Sequence, residues 1–383
     1  MMGLRYLFAL KPKKELVELY WFSLLYSFAA SLILVFEPVF FYVEDYSLAW
    51  IAAYYAAHYV LYLILLPWGA GLTGRFGMER SLAISMPLFV IYFLTLAAVP
   101  TFPGLFYISW ILLSLFKTFY WPAYHAEISK FGDKGNLGTE ISWLMAINSG
   151  IGVIGPLIGG FVVMMLGFPV LFVMAASLAL FAGFPLLRTK ERFNPAKIKY
   201  KKPWQILNED GQRMVRWGMA GWGADLVYLV FWPIAMFTVL GTAGSLGLIS
   251  SMNALIMTVF GFVIGEASDR MSRRKILRFH LPFMAIGYLL GPLAGGALRV
   301  FLTDMLMKAS YVGVQLPMWH RLYRRGKQVN PLLYATVLEM LICIFKALVA
   351  LTLVVVFSMT TPVVGLGITF IIAAVMSLFF VFI

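Results

Sequence analysis

Cysteine is all but missing from this chain: its one copy, Cys343, lies inside an apolar run. An intramolecular disulfide framework and a cysteine-cluster metal site are therefore excluded. Charge is the next scarcity, since 12% of the 383 residues are Asp, Glu, Lys or Arg, where a soluble domain carries about 25%. Histidine occurs four times, and no His-Glu-x-x-His, Gly-x-Ser-x-Gly or Cys/His cluster is present. Nucleophilic and metal-assisted catalysis have no constellation to work with, so the expectation is a protein that is not an enzyme, with no catalytic residue, metal or cofactor. Also lacking is a small-residue cleavage site after MMGLRYLFALKPKKE, which reads as a cytoplasmic leader and not as a signal peptide.

What is abundant is apolar: 62% of the residues are hydrophobic and 16% aromatic, and the mean hydropathy is +0.87. Such a chain is read as a polytopic membrane protein. A span needs about 20 helical residues to cross about 30 Å of hydrocarbon. Stretches of that kind fall at 16–42, 48–72, 82–100, 104–126, 138–166 and 168–187, and again at 214–240, 244–266, 277–298, 302–321, 331–357 and 362–383. Between the two sets lies a polar, basic linker, 188–213. An open sheet would strand backbone groups in lipid, so the fold class is an all-α integral membrane protein of 12 transmembrane helices. Its expected units are an N-terminal six-helix bundle (1–187), a linker (188–213) and a C-terminal bundle (214–383).

The net charge of +13 invites a polyanion partner, but the cations sit in short clusters between apolar segments. They read as topology signals, with no nucleic-acid partner. Alternate loops, starting from the N-terminus, hold 26 of the 30 Lys and Arg residues, whereas the opposite loops hold Arg299 with Glu44 and Asp45. Positive loops stay inside, which predicts a multi-pass cell-membrane protein with both termini cytoplasmic.

One offset, 195 residues, superposes ILVFEP (33–38) on YLVFWP (228–233), Pro87 on Pro282, and WPAYH (121–125) on LPMWH (316–320). A duplicated six-span unit is expected, with two bundles related by an axis along the membrane normal. The same shift lays GRFGMER (74–80) on DRMSRRK (269–275). These loops resemble a signature of the major facilitator superfamily, Gly-x-x-x-Asp-Arg-x-Gly-Arg-Arg. The second copy, Gly265 to Arg274, departs from it at Ser272, and the first keeps Arg75, Gly77 and Arg80 but has Gly74 where the family usually has Asp. The resemblance implies a charge latch among Arg75, Arg80, Asp269, Arg270 and Arg273 that is weaker or asymmetric for want of that acid. The run GVIGPLIGG (152–160) is similar to a pattern of exporters and antiporters in that superfamily, and equally suits close helix packing around a Pro bend.

Function is sought where polar groups are expensive: a mid-bilayer charge costs about 2.5–3.5 kcal/mol on insertion scales. The candidates are Glu37, Lys117, Asp225, Lys308, Glu339 and Lys346. Spans one, four, seven and ten line the cavity in the family. On the tenth, Asp304, Lys308, Tyr311 and Gln315 share one stripe, and the fourth gathers Lys117, Trp121 and Tyr124. With Tyr228 of the seventh span, these suit an anionic or amphipathic organic substrate. The alternative is that Lys117 and Lys308 pair with acids across the bundle interface. For proton coupling Asp225 is the first choice, Glu339 the second and Glu37 the third. His125 and His320 read as structural caps and His58 as a satisfied core residue.

The resulting expectation is a secondary active transporter that moves a small organic solute by alternating access, coupled to protons and leaning to export. Its partners are that solute, protons and the lipid bilayer, and it acts as a monomer. A lipid flippase, a passive facilitator and a non-transporting receptor remain open.

Overall fold

The computed structural model describes residues 14–130, 137–187, 197–209, 213–270, 272–326 and 330–383. Within them, the side chains of residues 14–16, 19, 129–130, 137–149, 262, 265–270, 273, 320 and 323–326 lie outside the description. All the described regular structure is helical. The first half holds α1 (Lys14–Ile33, continued by Glu37–Val43), α2 (Leu48–Phe76), α3 (Met78–Ala98), α4 (Leu105–Lys130), α5 (Leu137–Leu166) and α6 (Phe168–Ala182). The second holds α7 (Arg213–Leu240), α8 (Ala243–Arg270), α9 (Arg273–Leu290), α10 (Ala297–Gly326), α11 (Pro331–Met359) and α12 (Pro362–Leu378). Among the described residues nine helical stretches are long and apolar enough to cross a membrane. Helices α4, α5 and α10, of 26, 30 and 30 residues, occupy the remaining positions.

The packing repeats between the halves. Helix α1 lies against α5 and α6 as α7 lies against α11 and α12; α3 meets α4 and α6 as α9 meets α10 and α12; α2 meets α4 as α8 meets α10. Across the halves the two matching seams are α2 with α11 and α5 with α8. That is the contact pattern of two six-helix bundles related by a pseudo-two-fold axis. Prolines fall at equivalent places: Pro87 and Pro282 inside α3 and α9, and Pro122 and Pro317 inside α4 and α10.

Pro38 and Pro233 also correspond, but the chain accommodates them differently. Proline removes a donor and clashes with the carbonyl four residues back. In α1 the helix breaks at residues 34–36 and restarts with Pro38 in its first turn, so the predicted continuous span 16–42 is interrupted. In α7 the strain is absorbed in a π-helical turn, Val227–Phe231, directly before the segment Trp232–Leu240 that carries Pro233 in its first turn.

The α5–α8 seam is made of missing side chains. A Cβ on Gly160 would collide with the Ala243 carbonyl, and one on Gly247 with the Pro156 carbonyl. Gly155 and Gly159 leave the same room for Ser31, Leu32 and Phe36 of α1 and its break. The perimeter, by contrast, exposes residues such as Leu94, Phe161, Leu255 and Val355, as expected of a surface solvated by lipid. The 188–213 segment is not wholly linker: Lys201–Leu207 forms a helix that lies against α11 and α2. Its apolar Pro203, Ile206 and Leu207 are buried, and the Tyr200 hydroxyl donates to the Ile64 carbonyl of α2 at 3.1 Å.

Candidate functional site: charged clusters inside the bundle

Charge in the interior falls into separate groups. In the first, Asp225 of α7, 2% exposed, accepts from Lys346 Nζ of α11 at 2.5 Å on one oxygen and from the Tyr311 hydroxyl of α10 at 2.8 Å on the other. Three helices of the second half thus converge on one carboxylate. Lys346 is buried as well and stands 5.4 Å from the ring centres of both Tyr59 and Trp222. Tyr228, one helical turn beyond Asp225, stacks on Tyr311 at 5.7 Å.

The second group joins the halves. Glu339 of α11 accepts from the Tyr62 hydroxyl of α2 at 2.9 Å, and its other oxygen lies 3.2 Å from His125 Nε2 of α4. The imidazole is held between Trp121 (5.3 Å) and Trp319 of α10 (4.7 Å), and Trp319 meets Trp222 edge-on at 5.6 Å. The repeat superposes Tyr124 on Trp319 and His125 on His320, so related positions of the two halves meet at this end of the molecule. His125, expected as a cap, is instead part of the joint between halves; the side chain of His320 lies outside the described residues.

The third group is internal to the second half. Asp304 and Lys308, four residues apart on α10, pair at 2.8 Å. Trp232 Nε1 donates to Asp304 at 3.0 Å and Asn253 Nδ2 at 2.7 Å, while Lys308 also donates to the Ser250 carbonyl at 3.3 Å. Lys308 is therefore neutralised by its own helix, a partner not among the cross-bundle acids considered from the sequence.

Lys117 of α4 differs. Its ammonium stands 5.3 Å from the centre of the Tyr59 ring, and among the described residues it has no carboxylate in direct contact and no hydrogen-bond acceptor. Glu37 accepts from the Tyr55 hydroxyl at 2.9 Å and lies within electrostatic reach of Lys117 without a direct pair to it. Trp121 and Tyr124 are half-buried on the same helix face as Lys117, and Gln315 is buried with its amide nitrogen unmatched among the described groups. His58, fully buried, meets Ser114 through Nδ1 at 2.9 Å.

Of the latch residues, Arg75 and Arg80 are exposed around the α2–α3 turn, where Gly77 takes a φ of 104°. The side chains of Asp269, Arg270 and Arg273 lie outside the described residues. Sequence reasoning passed over Tyr59, Tyr62, Trp222 and Trp319. A signal existed for the first two: Tyr55, Tyr59 and Tyr62 recur at helical spacing on one stripe of α2, opposite Glu339 and Lys346 on α11.

A family profile described as Major Facilitator Superfamily matches residues 19–307 of the chain. No curated protein matches it. Its fold is similar to a solved structure of the nucleoside transporter NupG, in a mutant form, with TM-score 0.69, 14% identity, and 96% of this chain and 98% of that one covered. It is similar also to a D-xylose-proton symporter, with TM-score 0.68, 14% identity, and 94% and 96% covered. At that identity the likeness is one of fold.

Proposed function

The chain belongs to the major facilitator superfamily, and from that premise we propose that it is a secondary active transporter moving a small organic solute by alternating access, with Asp225 as the proton carrier. The observation that carries this reading is the carboxylate of Asp225, buried within the apolar helix α7 and bonded to groups from two other helices of its half. An ionised carboxylate holds Lys346 and Tyr311. A protonated one loses the charge that binds the ammonium, so proton uptake loosens α7 from α10 and α11. Coupling of this kind is supported by the proton symporter among the similar structures.

Glu339 is the second ionisable group of the cycle. It ties α2 and α4 to α11, so the halves part at that end only when its bonds to Tyr62 and His125 break. The loops rich in Lys and Arg support a cytoplasmic side for this end, and in this proposal the chain sits in the cell membrane and works as a monomer. Trp121, Tyr124, Tyr228, Tyr311 and Gln315 supply contacts to the solute; Lys308 serves as a scaffold through Asp304. Arg75 and Arg80, with the opposing loop, act at the gate. The α5 run similar to that of exporters supports a lean to export, solute outward against protons inward, while its glycines equally serve the close packing seen at the α5–α8 seam.

The test is transport in proteoliposomes across a range of pH. Asp225→Asn is expected to abolish the pH dependence of flux while the solute still binds. Flux that keeps its pH response in the variant would remove Asp225 from the role, and a wild-type flux indifferent to a proton gradient would point to a passive facilitator.

A further inference from the structure

Resting on the transport reading, we infer that Lys117, backed by Tyr59, is the binding point for the anionic group of the substrate, and that the substrate is an organic monoanion with a flat apolar body. Three lysines lie in the middle of the spans, and the structure treats them unequally. Lys346 has Asp225 at 2.5 Å and Lys308 has Asp304 at 2.8 Å. Lys117 has the face of a tyrosine and, among the described residues, neither a direct ion pair nor a hydrogen bond; the Glu37 carboxylate is within electrostatic reach of it but is bonded to Tyr55. An aromatic face attracts a cation but accepts its N–H bonds only weakly. A lysine at this depth is costly unless it is paired, hydrated or used.

The geometry of Tyr59 adds to this. Its ring, 4% exposed, has the Lys117 ammonium 5.3 Å and the Lys346 ammonium 5.4 Å from its centre. One ring is thus shared by two cations, of which, among the described residues, only Lys346 has a carboxylate in direct contact. An anion arriving at Lys117 completes a pair that matches Asp225 with Lys346. Along the same face of α4 the half-buried rings of Trp121 and Tyr124 follow Lys117 by one and two turns, offering a surface to the apolar part of the ligand. One charge is the capacity of this arrangement, since the other ammonium groups are already matched.

A carboxylate of a free acid and a phosphate of a lipid headgroup share this chemistry, and one experiment separates them. Thermal stability of the purified protein is measured against a series of aryl carboxylates, each with its neutral amide, and against phosphatidylglycerol in nanodiscs, for wild type, Lys117→Gln and Lys117→Arg. The expected result is stabilisation by acids and not by amides, at least a tenfold weaker affinity in Lys117→Gln, and recovery in Lys117→Arg, which also guards against a folding defect. Stabilisation by phosphatidylglycerol alone, lost in Lys117→Gln, keeps the anion site and assigns it to a lipid. Equal response to acids and amides, no response to any anion, or indifference to Lys117→Gln overturns the inference. Flux of the stabilising acid into proteoliposomes is read separately: binding without flux would defeat the transport reading alone, and flux of a neutral solute undiminished by Lys117→Gln would defeat the anion site alone.

Discussion

Lys308 and Lys117 show how much a residue's role depends on neighbours that a sequence does not display. The stripe Asp304, Lys308, Tyr311 and Gln315 follows from helical spacing alone, and the pairing of Lys308 with Asp304 was within its reach at four residues' separation. What spacing could not supply was Trp232 and Asn253, which come from α7 and α8 and close the cluster around Asp304. Lys308→Met should therefore act through stability, because it leaves a buried carboxylate without its cation. Losing one partner of a buried pair costs about 3–5 kcal/mol, so a clear fall in melting temperature in detergent is expected. The double variant Asp304→Asn, Lys308→Met should regain much of that loss. If Lys308→Met melted like the wild type but bound solute poorly, Lys308 would belong to the binding surface after all. Asp225 was legible as a buried acid; its partner Lys346 was visible as a charge but not as that partner, since 121 residues separate them.

Among the elements, the spans were legible almost entirely, because a helix that crosses lipid must be a long apolar run. Their ends were less so. Helix α10 runs Ala297–Gly326 where the apolar stretch covers 302–321, since a helix continues into the polar boundary as long as its backbone bonds are satisfied. The breaks were hidden for another reason: Pro38 and Pro233 mark equivalent points, yet one gives a gap and the other a π turn, a choice made by packing. Glycine contacts were likewise readable only in part, as a small-residue run on α5 whose counterpart on α8 is Gly247. Gly247→Ala should push α8 off the Pro156 backbone and favour states open at that end. Spin labels on Thr101 and Thr242, in turns of the two halves at that end, should move to longer distances. An unchanged distance distribution would mean the seam does not limit opening.

At the scale of the whole molecule, two halves of one architecture carry different charge. The second half holds Asp225, Lys346, Asp304 and Lys308 in closed pairs, whereas the first contributes Lys117, which has no direct ion pair among the described residues, and reaches across to Glu339 through Tyr62 and His125. Duplication explains the symmetry of the helices and says nothing of this division of labour, which is why fold was legible in the repeat and the site was not. Glu339→Gln should weaken the joint between α11 and the first half. Cys343 makes that measurable without adding a label site. It lies one turn from Glu339, is fully buried in this state, and is within electrostatic reach of Tyr62 and Lys117 of the other half. As the only thiol in the chain, it works as a built-in clock: the rate at which a maleimide reaches it counts how often the seam parts. The clock should run faster in Glu339→Gln and slower when a ligand holds the halves together, in a protein whose sequence needs no cysteine removed before the count begins.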